Sequence, residues 1–131
     1  MSVCFKPAGG QYKDQVVTGT ILVNSIHARV LFDFGSSHSF ISLKFATSLN
    51  CMPKELIEPL YVSTPLKNIT IANIIFKNCI IQIGKRELAA DVIQLNMYDF
   101  DIILGMNWLS LYHAHIDCFG IRVVFQILSE P

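Results

Sequence analysis

Leu31-Phe32-Asp33-Phe34-Gly35-Ser36-Ser37-His38-Ser39-Phe40-Ile41-Ser42 is the stretch whose reading decides the fold. An apolar strand runs into an acidic residue, then a Gly-Ser-Ser turn, then a second apolar segment. Aspartate is almost never fully buried unless it is paired or has a task. Gly35 lets the backbone turn sharply and approach a ligand or a second chain. The hydroxyls of Ser36, Ser37 and Ser39 can bond local backbone groups or the carboxylate. Asp-x-Gly-Ser by itself is a common turn composition. Its flanks change its meaning, because Val30-Leu31-Phe32 on one side and Phe40-Ile41 on the other lay the turn against a core.

Working outward, residues 16–23 are rich in β-branched side chains and Asn24-Ser25 reads as a tight turn. Residues 26–32 then alternate, with Ile26, Ala28, Val30 and Phe32 on one face. This pattern predicts a β-hairpin feeding Asp33. His27 falls on the polar face and reads as a solvated side chain. Downstream, Phe45 and Leu49 stand four apart behind Ser42, which predicts a short capped helix over 42–49. Glu58-Pro59 opens a strand expected through 60–63, and a turn follows over 64–68. Residues 69–83 form a long β-branched run, read as two strands or one bent strand. Gly84-Lys85 makes a turn, and residues 87–95 return as a strand with Asp91 solvated. A short buried strand over 102–104 precedes a helix over 106–112 that offers Trp108, Leu109 and Tyr112 to the core. A hairpin within 116–125 closes the chain. The pattern is all-β and barrel-like with one or two short helices. Residues 1–15 read as a linker or disordered N-terminal tail, and 16–131 as the domain.

Composition narrows the function. The chain has 131 residues, 52% of them hydrophobic and only 15% charged, so either the core is generous or an apolar surface is covered by a partner. Ten basic and ten acidic residues leave no net charge, which argues against an electrostatic nucleic-acid site. No uninterrupted apolar run approaches the roughly eighteen residues of a membrane span, and the N-terminus is too polar for a signal peptide. Cys4, Cys51, Cys79 and Cys118 make no Cys-x-x-Cys pair, so no zinc site is expected and the thiols read as reduced. That usage suits an intracellular, cytoplasmic protein. His113, His115 and Asp117 read as surface or hairpin residues, and no Gly-x-Ser-x-Gly nucleophile motif is present.

The stretch around Asp33 resembles the active-site stretch of the retropepsin-like aspartic proteases, and within them the protease domain of plant Ty3/gypsy-type retrotransposon polyproteins. A second stretch, Asp99-Phe100-Asp101-Ile102-Ile103-Leu104-Gly105-Met106-Asn107-Trp108-Leu109, is similar to the family's apolar-apolar-Gly element and the short helix after it. The resemblance spans about residues 16–125. It implies a retropepsin-like closed barrel with Asp33 as the catalytic residue. Phe34, Gly35, Ser36 and Ser37 would complete the active-site loop, and Leu104, Gly105 and Asn107 would support it. It also places a mobile flap near 64–68, although no glycine lies between Gly35 and Gly84 and viral flaps are glycine-rich.

Peptide hydrolysis by carboxylates needs two aspartates sharing one proton, because like charges so close cannot both ionise. The ionised member activates water and the protonated member polarises the scissile carbonyl. No metal, cofactor or covalent intermediate is required. Asp14, Asp91, Asp99, Asp101 and Asp117 lack a following x-Gly-Ser or x-Gly-Thr, so one chain carries one motif. A two-fold homodimer would then supply Asp33 twice, with a peptide or polyprotein as substrate.

Phe34 departs from the family, which has Ser or Thr there to bond across the dimer axis. A phenyl ring cannot make that bond, at a cost of roughly 1 kcal/mol or more. Asn107 is a milder departure, since plant relatives tend to have Asp there, but it is compatible with the viral Gly-Arg-Asn element. Met106 and Ser37 replace the viral Arg–acid pair together, which leaves no orphan charge. The alternative to an active endopeptidase is therefore a catalytically inactive retropepsin-like fold, serving as an interaction module or element relic. A ubiquitin-pathway relative of the same fold is a more remote option.

Overall fold

The computed structural model describes residues 16–63, 69–112, 114–117 and 122–125. The expectations for residues 1–15, for the 64–68 turn and for the side chains of His113, His115 and Asp117 lie outside the described residues.

β1 (Val16–Val23) and β2 (Ile26–Asp33) form the predicted hairpin, in register from Val16 opposite Asp33 to Val23 opposite Ile26. Asn24 and Ser25 both take positive φ, 49° and 68°, the backbone whose twist matches the strands on either side. Ala28, Val30 and Phe32 are buried as the alternation requires, while Ile26 at the strand's outer end is exposed. The elements that follow are β3 (Phe40–Ser42), α1 (Leu43–Ala46), β4 (Pro53–Ser63), β5 (Ile69–Ile83), β6 (Arg86–Leu95), β7 (Ile102–Leu104) and α2 (Met106–Leu109). β8 (Ala114–Asp117) and β9 (Arg122–Phe125) pair separately as a hairpin.

The main sheet runs β1-β2-β7-β3-β6-β5-β4, and β1 also pairs with β5 through Leu22–Gln82 and Val23–Ile81. Six strands therefore close into a ring, the expected barrel, and β4 pairs with β5 on its outside. The ring encloses one core, in which Val30, Phe32, Ile81, Ile102 and Leu104 are fully buried, and leaves β4 as the edge strand. The β7-β3-β6 layer has a second apolar cluster on its other face. There Phe40, Ala72 and Ile93 are covered by Leu56, Leu60 and Val62 of β4. Being buried on both faces is why Phe40-Ile41 and Ile102-Ile103-Leu104 read as unbroken apolar runs.

The 69–83 run is one strand with a bulge. Asn78 takes φ 58°, and the register against β6 shifts between Phe76 and Cys79. The side chains facing the main core change parity there, from Ile74 and Phe76 to Cys79, Ile81 and Ile83. β4 is much longer than the predicted 60–63. It begins at Pro53 and tolerates Pro59 because the ladder is interrupted between Glu55 and Leu60, where no amide donor is needed. The helices are shorter than predicted, at one turn each. Ser42 caps α1 by accepting from the Phe45 N–H at 3.0 Å, and α2 ends where the Ser110 hydroxyl bonds the Met106 carbonyl at 2.6 Å.

Candidate active site

β7 lies between β2 and β3, parallel to the first and antiparallel to the second. The chain from Asp33 to Phe40 must therefore cross over the end of β7, where Gly105 sits. That crossing explains why two motifs about seventy residues apart meet. A β-carbon added to Gly105 would overlap the His38 carbonyl oxygen and lie 2.7 Å from the Ser36 carbonyl oxygen. Gly105 itself has φ −98°, which any residue can adopt, so space alone demands glycine here.

Two backbone bonds fasten the loop to α2: Met106 N–H to the Ser36 carbonyl at 2.6 Å and Asn107 N–H to the Ser37 carbonyl at 3.2 Å. A third tie runs through Ser39, a polar residue only 1% exposed. Its hydroxyl donates to Asn107 Oδ1 at 2.7 Å and accepts the Gly105 N–H at 3.0 Å. Leu104 is fully buried beside Phe32, its β2 partner. Gly105 and Asn107 thus meet the 33–39 loop, while Leu104 lies beside the strand that leads into it.

Within the loop, Asp33 ends β2 half-buried, and its Oδ1 accepts the Gly35 N–H at 2.9 Å. The Ser36 N–H closes a turn onto the Asp33 carbonyl at 3.2 Å, and the Ser36 hydroxyl bonds the His38 carbonyl at 2.9 Å. Ser37 is exposed, its hydroxyl 3.0 Å from His38 Nδ1. Phe34 packs its ring half-buried against its own chain's main core. The arrangement holds one carboxylate in a fixed orientation at a barrel end, with one oxygen occupied by an amide and the other oxygen not engaged by that bond.

Sequence reasoning gave Ser39 only local bonding, and it missed Asp101. The Asp101 carboxylate accepts the Arg29 N–H at 2.7 Å and its backbone N–H returns to the Arg29 carbonyl at 2.9 Å. Arg29 in turn stacks over Phe100 at 5.5 Å, so the Asp99-Phe100-Asp101 run clamps β2 upstream of Asp33. Asp91, expected to be merely solvated, accepts the Asn78 N–H at the β5 bulge at 2.9 Å. Trp108 is 2% exposed in the core, as its spacing implied, and His27 is exposed.

The family model described as Retroviral aspartyl protease matches residues 6–130. No curated protein matches this chain. Among solved structures, the crystal structure of a retropepsin-like aspartic protease from Rickettsia conorii superposes with a TM-score of 0.62. The match covers 95% of this chain and 90% of that one at 21% identity, a likeness of fold. Among the described residues, no helix is long and apolar enough to cross a membrane.

Proposed function

This chain belongs to the retroviral aspartyl protease family, and from that premise we propose that it is an aspartic endopeptidase whose dyad is built from the Asp33 of two copies. The observation that carries the reading is the Asp33 loop, tethered through Gly35 and fastened at three points to Gly105, Met106 and Asn107. Such rigidity is what a carboxylate needs to meet its equal across a two-fold axis. One Asp33 of the pair stays ionised and takes a proton from water. The other, protonated, donates to the scissile carbonyl oxygen and stabilises the oxyanion that forms. Nothing beyond these two side chains and a water is needed, so no cofactor is assigned. The substrate class is a polyprotein segment, that of a Ty3/gypsy-type retrotransposon in a plant host, on the resemblance of the 31–42 and 99–109 stretches.

Phe34 supports a second reading, a silent fold of the same family that acts by binding. The side-chain hydroxyl usual at that position is absent. The packing of Phe34 on its own core supports the active reading instead, because it gives the ring a place within one subunit.

Peptide-library cleavage at mildly acidic pH separates the two. The natural chain is expected to cleave, Asp33→Asn to abolish cleavage, and specific activity to rise with protein concentration as copies pair. Folded but inactive natural chain, with activity restored by Phe34→Ser, would establish the silent reading.

A further inference from the structure

Two thiols that the proposed chemistry does not use meet at the root of β4. Cys79 is wholly buried on β5, next to the bulge at Asn78. Cys51 is half-buried in the connection between α1 and β4. Cys79 belongs to the main core and Cys51 packs against that same core. One carboxamide holds them there. Asn24, in the β1–β2 turn, donates its Nδ2–H to Cys51 Sγ at 2.8 Å. Its Oδ1 accepts the Ile80 N–H at 2.7 Å, and its own N–H donates to the Ile80 carbonyl at 2.9 Å. Ile80 follows Cys79, so Asn24 fixes the Cys51 sulfur against the very stretch of β5 that carries its partner. Cys79 cannot swing away either, because it sits in the β5–β6 ladder opposite Ala90.

We propose that Cys51 and Cys79 form a reversible thiol–disulfide site, closed by exchange with a low-molecular-weight disulfide of the oxidised-glutathione class. Cys51 is the attacking sulfur, since it is the one that solvent reaches. Its thiolate displaces one small thiolate and forms a mixed disulfide. The Cys79 sulfur then displaces the second small thiolate and closes the protein disulfide. The protein gives up two electrons and two protons, and the oxidant leaves as two thiols. Cys79 suits the resolving role. Its claim to that role is position, because Asn24 ties the Cys51 sulfur to Ile80, the residue next to Cys79. Burial, with the neighbouring Cys51 and Asp91, pushes the Cys79 thiol up to about 12, so the second exchange is the slow one and its proton leaves to solvent as the bond closes.

The bond would enclose the chain from residue 51 to residue 79, which carries all of β4 and the first part of β5. Oxidation would therefore tie the start of β4 covalently to β5 at the Asn78 bulge. The inference stands whether or not the chain cleaves peptides, because its readout is the bond itself.

The test uses the full chain with Cys4→Ser and Cys118→Ser, so that only this pair remains. The protein is incubated with oxidised glutathione, quenched in acid, denatured, alkylated and weighed. The expected product is two hydrogens lighter than the reduced chain, unalkylated at both positions, and restored by dithiothreitol. Its Tm should exceed that of the reduced form by on the order of 10 °C. A lasting glutathione adduct on Cys51 with Cys79 alkylated would overturn the proposal, as would alkylation of both. Should the double serine variant fail to fold by circular dichroism, the natural chain is oxidised and digested instead. The Cys51–Cys79 cross-linked peptide then supports the proposal, and its absence refutes it.

Discussion

Gly105→Ala is the sharpest test of how the candidate site is built. The added methyl would lie 2.7 Å from the Ser36 carbonyl oxygen and 2.9 Å from the His38 carbonyl carbon. Ordinary contact begins near 3.4 Å, so the Ser36 carbonyl must retreat by about 0.7 Å and His38 by more. Both obstacles are backbone, so neither can rotate aside as a side-chain tip would. Overpacking of this kind costs roughly 1–3 kcal/mol. The retreat also stretches the bonds from Met106 N–H to Ser36 and from Asn107 N–H to Ser37, at roughly 1 kcal/mol each. The combined expectation is a loss of about 3–5 kcal/mol, with Tm lower by on the order of 15 °C.

Urea unfolding followed by Trp108 fluorescence reads this directly, since the chain has one tryptophan and it is 2% exposed. The midpoint should fall with the slope unchanged. Gly35→Ala is the internal control. A methyl there meets only Asp33 Oδ1, at 3.3 Å, a contact relieved by a few tenths of an ångström. It should cost under about 1 kcal/mol in stability, yet it displaces the carboxylate and should lower any cleavage rate. A Gly105→Ala chain within about 1 kcal/mol of the natural one would refute the account of the crossing loop.

Ser39→Ala should cost about 2 kcal/mol in the same urea assay, because it strands the buried Gly105 N–H, while Ser39→Thr should recover most of it. A double-mutant cycle with Asn107→Ala should show coupling of roughly 1 kcal/mol, and strict additivity would count against the bond. Ser42→Ala should lower the urea midpoint by the equivalent of about 1 kcal/mol through loss of the α1 cap. The raised Cys79 thiol fixes the alkaline limb of stability. The folded state holds this proton above the ordinary value of 9.0, so its contribution is complete below that pH and is lost as pH climbs toward about 12. Cys79→Ala should flatten stability against pH in that window, and an unchanged slope would be contrary to the assignment.

What could be read from the sequence follows the range of the interactions. The β1–β2 hairpin was legible because a two-residue turn and strict alternation are both local signals, and β7 was legible because its burial on both faces leaves an apolar run. β4 was legible only at its far end, because Pro53 and Pro59 signal interruption; Pro53 is tolerated as the first residue of the strand and Pro59 by the irregular register against β5. Ser39 and Asp101 were missed for another reason. Ser39 bonds a residue 68 positions away and Asp101 one 72 positions away, and a serine or aspartate near a turn has a local explanation that conceals a distant one. A buried hydroxyl between Phe40 and the loop was the one available hint.

The topology also separates what the fold requires from what the chemistry requires. Threading β7 between β2 and β3 forces the loop over Gly105, and that crossing must be spaced by a glycine and satisfied by a buried acceptor such as the Ser39 hydroxyl. Those demands hold for a silent chain as much as for an active one. The ties run through the backbones of residues 35–37 and 105–107 and the side chains of Asp33, Ser39 and Asn107. The Phe34 ring takes part in none of them and rests on the core. Exchanging Ser or Thr for Phe there therefore leaves the loop intact within one copy and alters only what that copy offers a second. Phe34→Ser should therefore cost the monomer only the ring's half-buried contact with the core, roughly 1–2 kcal/mol, whereas in the proposed dimer the dissociation constant and the cleavage rate should move together. A monomer loss well above about 3 kcal/mol with unchanged pairing and cleavage would mean that Phe34 belongs to the fold rather than to the site.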